Sequence, residues 1–151
     1  GFEGVKRRFE FYINTPEVVY MDDYAHHPRE LSATITSVKK MFPGRRVTAL
    51  FQPHLYTRTR DLYEEFAEAL SQADEVVLLP IYPAREEPIE GVTSEIIARL
   101  VTAPCRIVER DVLAEEVARM GVDVVVSFGA GNIDRYIKPI TEMLCQRQQD
   151  I

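Results

Sequence analysis

The chain has 151 residues, 46% of them hydrophobic, which is enough for one domain with a real core and too little for two. A formal charge of −6 excludes a protein that coats nucleic acid, because neutralising phosphates takes a basic face. Cys105 and Cys145 have no CxxC partner, no apolar run nears the roughly 18 residues of a membrane span, and the amino terminus lacks a signal-peptide pattern; a soluble, cytoplasmic protein is expected, with free thiols favoured over one disulfide.

Along the chain, strand-like and helix-like segments alternate without an internal repeat or a low-complexity linker. Val5 to Ile13 and Val18 to Asp22 read as extended. Pro28 suits a first helical position, and Leu31, Ile35, Val38 and Phe42 recur at three- and four-residue spacing, which predicts a helix from Pro28 to Phe42 with one buried stripe. Arg46 to Phe51 is a core strand. Asp61 is expected to cap the next helix, whose apolar face is Leu62, Phe66, Ala69 and Leu70. Glu75 to Leu79 is a strand, Pro80 to Val92 a long surface loop, Ser94 to Leu100 a short helix and Cys105 to Val108 a strand. A helix from Asp111 to Met120, capped by Asp111, precedes a last core strand from Val122 to Ser127. The final helix starts near Asn132, with Pro139 expected to kink or interrupt it. Buried strands separated by helices predict an α/β fold: a three-layer, Rossmann-like domain with a mostly parallel sheet and right-handed crossovers.

Three loops follow the carboxyl ends of strands, the edge where open α/β sheets bind ligands. Asp22-Asp23-Tyr24-Ala25-His26-His27-Pro28 crowds two carboxylates, a phenol and two imidazoles onto one strand-to-helix turn; the plain alternative is a capped helix with solvated histidines. Phe51 to Asp61 carries His54, Arg58 and Arg60. Paired guanidinium N–H donors suit carboxylates or phosphates, although pairing with Glu64 or Glu65 at the surface would also account for them. Ser127 to Asn132 holds Gly129 and Gly131, a weak dinucleotide signal that a tight turn explains equally. In a parallel sheet all three loops open on one edge. Their joint occurrence is the stronger signal.

With those residues in view, the chain resembles the carboxyl-terminal domain of the Mur ligase family. The resemblance rests on Gly4-Val5-Lys6-Arg7-Arg8-Phe9-Glu10, Asp22 to Pro28, Phe51 to Arg60, and Gly129 to Ile133, and it covers nearly the whole chain. Gln52-Pro53-His54-Leu55-Tyr56-Thr57-Arg58-Thr59 separates it from the branch that recycles murein tripeptide and points to the branch that adds L-alanine to UDP-N-acetylmuramate. The resemblance implies an ATP-dependent amide ligase of peptidoglycan precursor synthesis, in which Mg²⁺-ATP converts the muramyl carboxylate into an acyl phosphate that L-alanine attacks. It implies that Arg8, Asp22 and Asp23 lie towards the nucleotide, and that Tyr24, His26, His54, Arg58, Arg60, Gly129, Gly131 and Asn132 surround L-alanine. Arg58 would hold the alanine carboxylate and His26 would act as base. Relatives with a basic residue in place of Leu55 would share that task between two cations; here Arg58 acts alone or with Arg60.

No GxxxxGK[ST] loop occurs, so ATP and Mg²⁺ are expected to be held mainly by a central ATPase domain, and the UDP sugar by an amino-terminal one, both outside residues 1 to 151. The chain is read as one domain cut from a three-domain enzyme, folding alone but inactive alone. Two other functions fit some of the residues. One is a metal-dependent hydrolase using Asp22, Asp23, His26 and His27; the other is a non-catalytic module that captures anions with the arginine loop.

Overall fold

A computed structural model of the chain describes residues 10–129 and 132–149. The elements are β1 (Glu10–Asn14), β2 (Val19–Asp23), α1 (Pro28–Met41), β3 (Val47–Phe51), α2 (Tyr56–Leu70) and β4 (Glu75–Leu78). There follow α3 (Ser94–Ala98), β5 (Cys105–Ile107), α4 (Leu113–Arg119), β6 (Val124–Phe128) and α5 (Ile137–Gln149), with 3₁₀ turns at Arg110–Val112 and Ile133–Tyr136. The strands form one sheet in the order β1-β2-β6-β3-β4-β5. All neighbours are parallel except β1, which pairs antiparallel with β2 at the edge.

Period-two alternation divides the core into two layers. Val19, Met21, Val47, Ala49, Phe51, Val76, Leu78, Val124, Val126 and Phe128 pack on one face with residues of α1, α2 and α3. Tyr20, Leu50, Val77 and Val125 pack on the other with Leu113 and Val117 of α4 and Ile140 and Leu144 of α5. Central strands covered on both sides must be apolar throughout, which is why they read as continuous valine and leucine runs. Phe51 stacks against Phe66 of α2 with ring centroids 5.0 Å apart; fully burying one such side chain contributes about 1.5–3 kcal/mol.

The three-layer α/β architecture is as the sequence predicts, and four local expectations are corrected. Helix α2 begins at Tyr56, a turn before Asp61, and Asp61 caps nothing; it is exposed and accepts from Arg60 Nε at 2.9 Å. Asp111 lies in a 3₁₀ turn and gives α4 no side-chain cap. Pro139 falls in the first turn of α5, where a backbone N–H has no helical acceptor, so the helix runs on to Gln149 without interruption. The loop from Pro80 to Val92 is tied down at Ile81 and Val92, both buried. Of the first extended segment, residues 5–9 lie outside the described residues.

Cys105 packs against one core layer and Cys145 against the other, so the sheet separates the two free thiols. Burial pushes the Cys105 thiol up to about 11, which makes it a poor nucleophile. Among the described residues no helix is long and apolar enough to cross a membrane.

Candidate functional site

Asp23, Phe128, Phe51 and Leu78 stand abreast at the carboxyl ends of β2, β6, β3 and β4. The three polar loops therefore leave the sheet side by side.

In the first loop the crowded residues divide their work. Asp22 and Asp23 face opposite layers, as neighbours on a strand must. Asp23, 1% exposed, accepts from the Ala25 N–H at 3.2 Å and from the Thr34 hydroxyl of α1. It closes the turn rather than presenting its carboxylate to the cleft. Asp22 accepts from the Ser127 hydroxyl at 2.6 Å. Since that hydroxyl has spent its proton, the Tyr20 hydroxyl donates to Ser127 across 3.1 Å. Burial keeps the Tyr20 phenol protonated, with a pKa well above the usual range.

His27 is the N-cap of α1: its Nδ1 accepts from the Arg29 N–H at 3.2 Å while Glu30 Oε1 accepts from the His27 N–H at 3.1 Å, a reciprocal capping box. His26 faces elsewhere. Its Nδ1 lies 3.3 Å from the Tyr24 carbonyl, which can only accept, so Nδ1 carries the proton and Nε2 the lone pair. The exposed Tyr24 ring meets His26 edge-on at 5.9 Å.

The second loop brings His54 and Arg58 together. Arg58 Nη1 donates to His54 Nδ1 over 3.4 Å, which assigns the remaining proton of the neutral imidazole to Nε2. Partial burial, then the charge of Arg58, lower the His54 pKa from 6.5, so the ring stays neutral. Among the described residues no carboxylate pairs with Arg58, whereas Arg60 is turned to Asp61 and lines a separate groove with Tyr63, Glu64 and Gly91. The structure does not bring Arg60 into the group.

The third loop is bolted to the second. Gln52 Nε2 donates to Asn132 Oδ1 at 2.6 Å, and the Gln52 N–H donates to the Phe128 carbonyl at 3.2 Å. Gly129 has φ +147°, and a Cβ there would come within 3.1 Å of the Gln52 carbonyl oxygen and of Ile133 Cγ2. Its lack of a side chain is what lets the two loops touch. Gly131 and Arg8 lie outside the described residues.

Sequence reasoning missed several of these partners. Thr34 and Ser127 had a readable signal, since each is a polar residue inside an otherwise apolar stripe or strand. Tyr82 and Glu86 had none. The Tyr82 ring stacks on His54 at 5.7 Å, and Glu86 accepts from the Thr57 N–H at 3.1 Å, across 29 residues of sequence.

The donor set does not suit a metal. His27 is committed to a cap and Asp23 to a turn, and among the described residues no three His, Cys, Asp or Glu side chains gather as a metal site. The hydrolase reading of the Asp22, Asp23, His26 and His27 cluster falls with that geometry. A groove of about 620 Å³ lies elsewhere, between β1 and α5, lined by Glu10, Tyr12, Asp134 and Lys138.

The chain is 53% identical over 147 residues to the UDP-N-acetylmuramate--L-alanine ligase of Parabacteroides distasonis, covering 97% of this chain and 32% of that protein. It is 48% identical over 149 residues to the ligase of the same name from Cytophaga hutchinsonii, covering 98% of this chain and 32% of the relative. The chain thus spans about a third of the length of these curated relatives. The crystal structure of the UDP-N-acetylmuramate-alanine ligase MurC from Thermotoga maritima superposes with a TM-score of 0.67 at 26% identity, covering 95% of this chain and 30% of that one. The family model described as "Mur ligase, glutamate ligase domain" matches residues 7–131. A match over that much of the sequence places the chain in the Mur ligase family, as a domain of the type that ends those enzymes.

Proposed function

We propose that this chain is the domain that receives L-alanine in an ATP-dependent ligase joining it to UDP-N-acetylmuramate. The observation that carries the reading is Arg58, a guanidinium beside a neutral imidazole at the binding edge of the sheet with no carboxylate partner among the described residues. Such a cation suits the carboxylate of an amino acid, bound through paired N–H donors. On the neighbouring loop, the Nε2 lone pair of His26 suits the ammonium group. A cation and a lone pair on loops that leave the same sheet edge complement a zwitterion. The identity to ligases named for L-alanine supports the choice of substrate.

In the proposed reaction the muramyl carboxylate is first phosphorylated by ATP, because a carboxylate is a poor electrophile until one oxygen becomes a good leaving group. The alanine ammonium gives a proton to His26 Nε2, its nitrogen attacks the acyl carbon, and the C–O bond to phosphate breaks, the departing phosphate taking the nitrogen's second proton as the amide forms. Arg58, with His54 behind it, would hold the amine donor, and the proposal keeps Tyr24, Gly129, Gly131 and Asn132 as its other contacts. On the nucleotide side the proposal keeps Arg8 and Asp22, with Asp22 fixed by Ser127, while Asp23, expected there from the sequence, is spent on the turn through Ala25 and Thr34. Mg²⁺ would be held by other parts of the enzyme; among the described residues no three His, Cys, Asp or Glu side chains gather to hold it.

Steady-state kinetics of Arg58→Ala in the complete ligase test this. Loss of a charge-assisted bidentate contact is expected to raise the Michaelis constant for L-alanine about 10- to 100-fold and leave that for ATP nearly unchanged. An unaltered alanine constant would refute the proposal.

A further inference from the structure

Helix α2 carries Arg58 in its first turn, yet its N-cap residue is Leu55, which has no side-chain acceptor to offer. The orphan N–H groups of such a terminus need partners from elsewhere. They find one in the loop after β4. Glu86 Oε1 accepts from the Thr57 N–H at 3.1 Å and Glu86 Oε2 from the Thr57 hydroxyl at 2.5 Å, so both carboxylate oxygens grip the residue next to Arg58. That hydroxyl holds the Glu86 carboxyl below its usual range.

The same loop grips the other side of Leu55. The Tyr82 N–H donates to the Pro53 carbonyl and the Leu55 N–H to the Tyr82 carbonyl, each at 2.8 Å, a parallel bridge centred on His54 and Tyr82. The Tyr82 ring lies nearly flat on the imidazole, 19° from parallel. Between these holds Leu55 sits at φ +75°, ψ 137°, a conformation a branched residue adopts only when its surroundings over-determine it. The loop supplies that constraint, and with it the spacing of His54 from Arg58.

We propose that Tyr82 and Glu86 are positioning residues of the amino-acid site: the loop from Pro80 to Val92 is a template that clamps Pro53 to Thr57 and so aims Arg58 and His54 at the substrate. By occupying the α2 terminus with its own carboxylate, Glu86 also denies that terminus to the substrate carboxylate, which is left with Arg58. The proposal rests on the reading of Arg58 given above.

The test is a set of variants in the complete ligase: E86A, E86Q, Y82A and T57V, with R58A as reference. Small displacements of a binding group are costly, so E86A, Y82A and T57V are each expected to raise the alanine Michaelis constant about tenfold while the ATP constant moves less than about twofold. E86Q, which keeps one acceptor for Thr57, should recover most of the loss. If E86A fails to fold, T57V and Y82A carry the test. A lowered thermal midpoint with both Michaelis constants unmoved would overturn the positioning role. Normal alanine constants in these variants but a raised one in R58A would overturn this inference alone; a normal constant in R58A would overturn the underlying reading.

Discussion

Leu55 stores strain at the point where the amino-acid wall turns into a helix. Its φ of +75° is open to glycine at little cost and costs other residues about 1–3 kcal/mol. Replacing it by Gly relieves that strain but adds freedom to the unfolded chain, worth about 0.5–1 kcal/mol. Leu55→Gly is therefore expected to stabilise the chain by about 1 kcal/mol in urea denaturation, whereas Leu55→Ala, which keeps the strained φ, gives no such gain. Thr34 has the opposite character. Its hydroxyl is one of two donors to the buried Asp23 carboxylate, and Thr34→Val should cost about 1–3 kcal/mol by leaving that acceptor short of a partner. His54 adds a pH dependence of definite sign. Its folded pKa lies below 6.5, so the unfolded chain binds the proton more readily, and stability falls as pH drops through that value. The decline levels off once the folded imidazole is itself protonated. Urea midpoints measured from pH 8 downward should show this limb in the native sequence and lose it in His54→Gln.

Elements differ in how far their residues announce them. Helix α1 was legible almost to the residue because Pro28 marks its start and one apolar stripe its course, and the Val-rich strands were legible because parallel strands are buried on both faces. The start of α2 was not, since its cap comes from Glu86 and its first turn has the polar composition of a loop. That misplacement mattered, for it put Arg58 and Arg60 in a loop when they lie two positions apart on a helix, about 200° around its axis, and so face opposite sides. Pro139 misled for a related reason: proline breaks a helix only beyond its first turn, and a 3₁₀ turn had moved the start of α5 forward to meet it. The junction after β6 shows what a single atom can decide. A Cβ on Gly129 would press on the Gln52 carbonyl and Ile133, so Gly129→Ala should destabilise the chain by about 1–3 kcal/mol and loosen the hydrogen bond between Gln52 and Asn132. Thermal melts check the first effect, and the amide chemical shifts of the two side chains check the second.

For the whole molecule the decisive fact is strand order. The last strand, β6, inserts between β2 and β3, so loops separated by about a hundred residues become neighbours at one edge. Sequence reasoning reached the shared edge from parallel pairing alone, but the insertion itself, and the contact of Gly129 with Gln52 that follows from it, is a non-local outcome of packing. The edge so assembled holds groups suited to an amine donor: a guanidinium, a neutral imidazole and a second imidazole lone pair. It holds no set of carboxylates for a metal among the described residues, and the sequence has no glycine-rich phosphate loop with its lysine. Under the proposed function, making the acyl phosphate is assigned to other domains of the complete ligase. The chain by itself is expected to unfold cooperatively, because its two core layers are complete, and yet to release no ADP when given ATP, UDP-N-acetylmuramate and L-alanine. A coupled ADP assay on the purified chain, run beside a urea unfolding curve, separates the two halves of that statement. Alanine-dependent ADP release would mean that phosphoryl transfer is built into this sheet edge after all; a broad, non-cooperative transition would mean that the layers need a neighbouring domain to close.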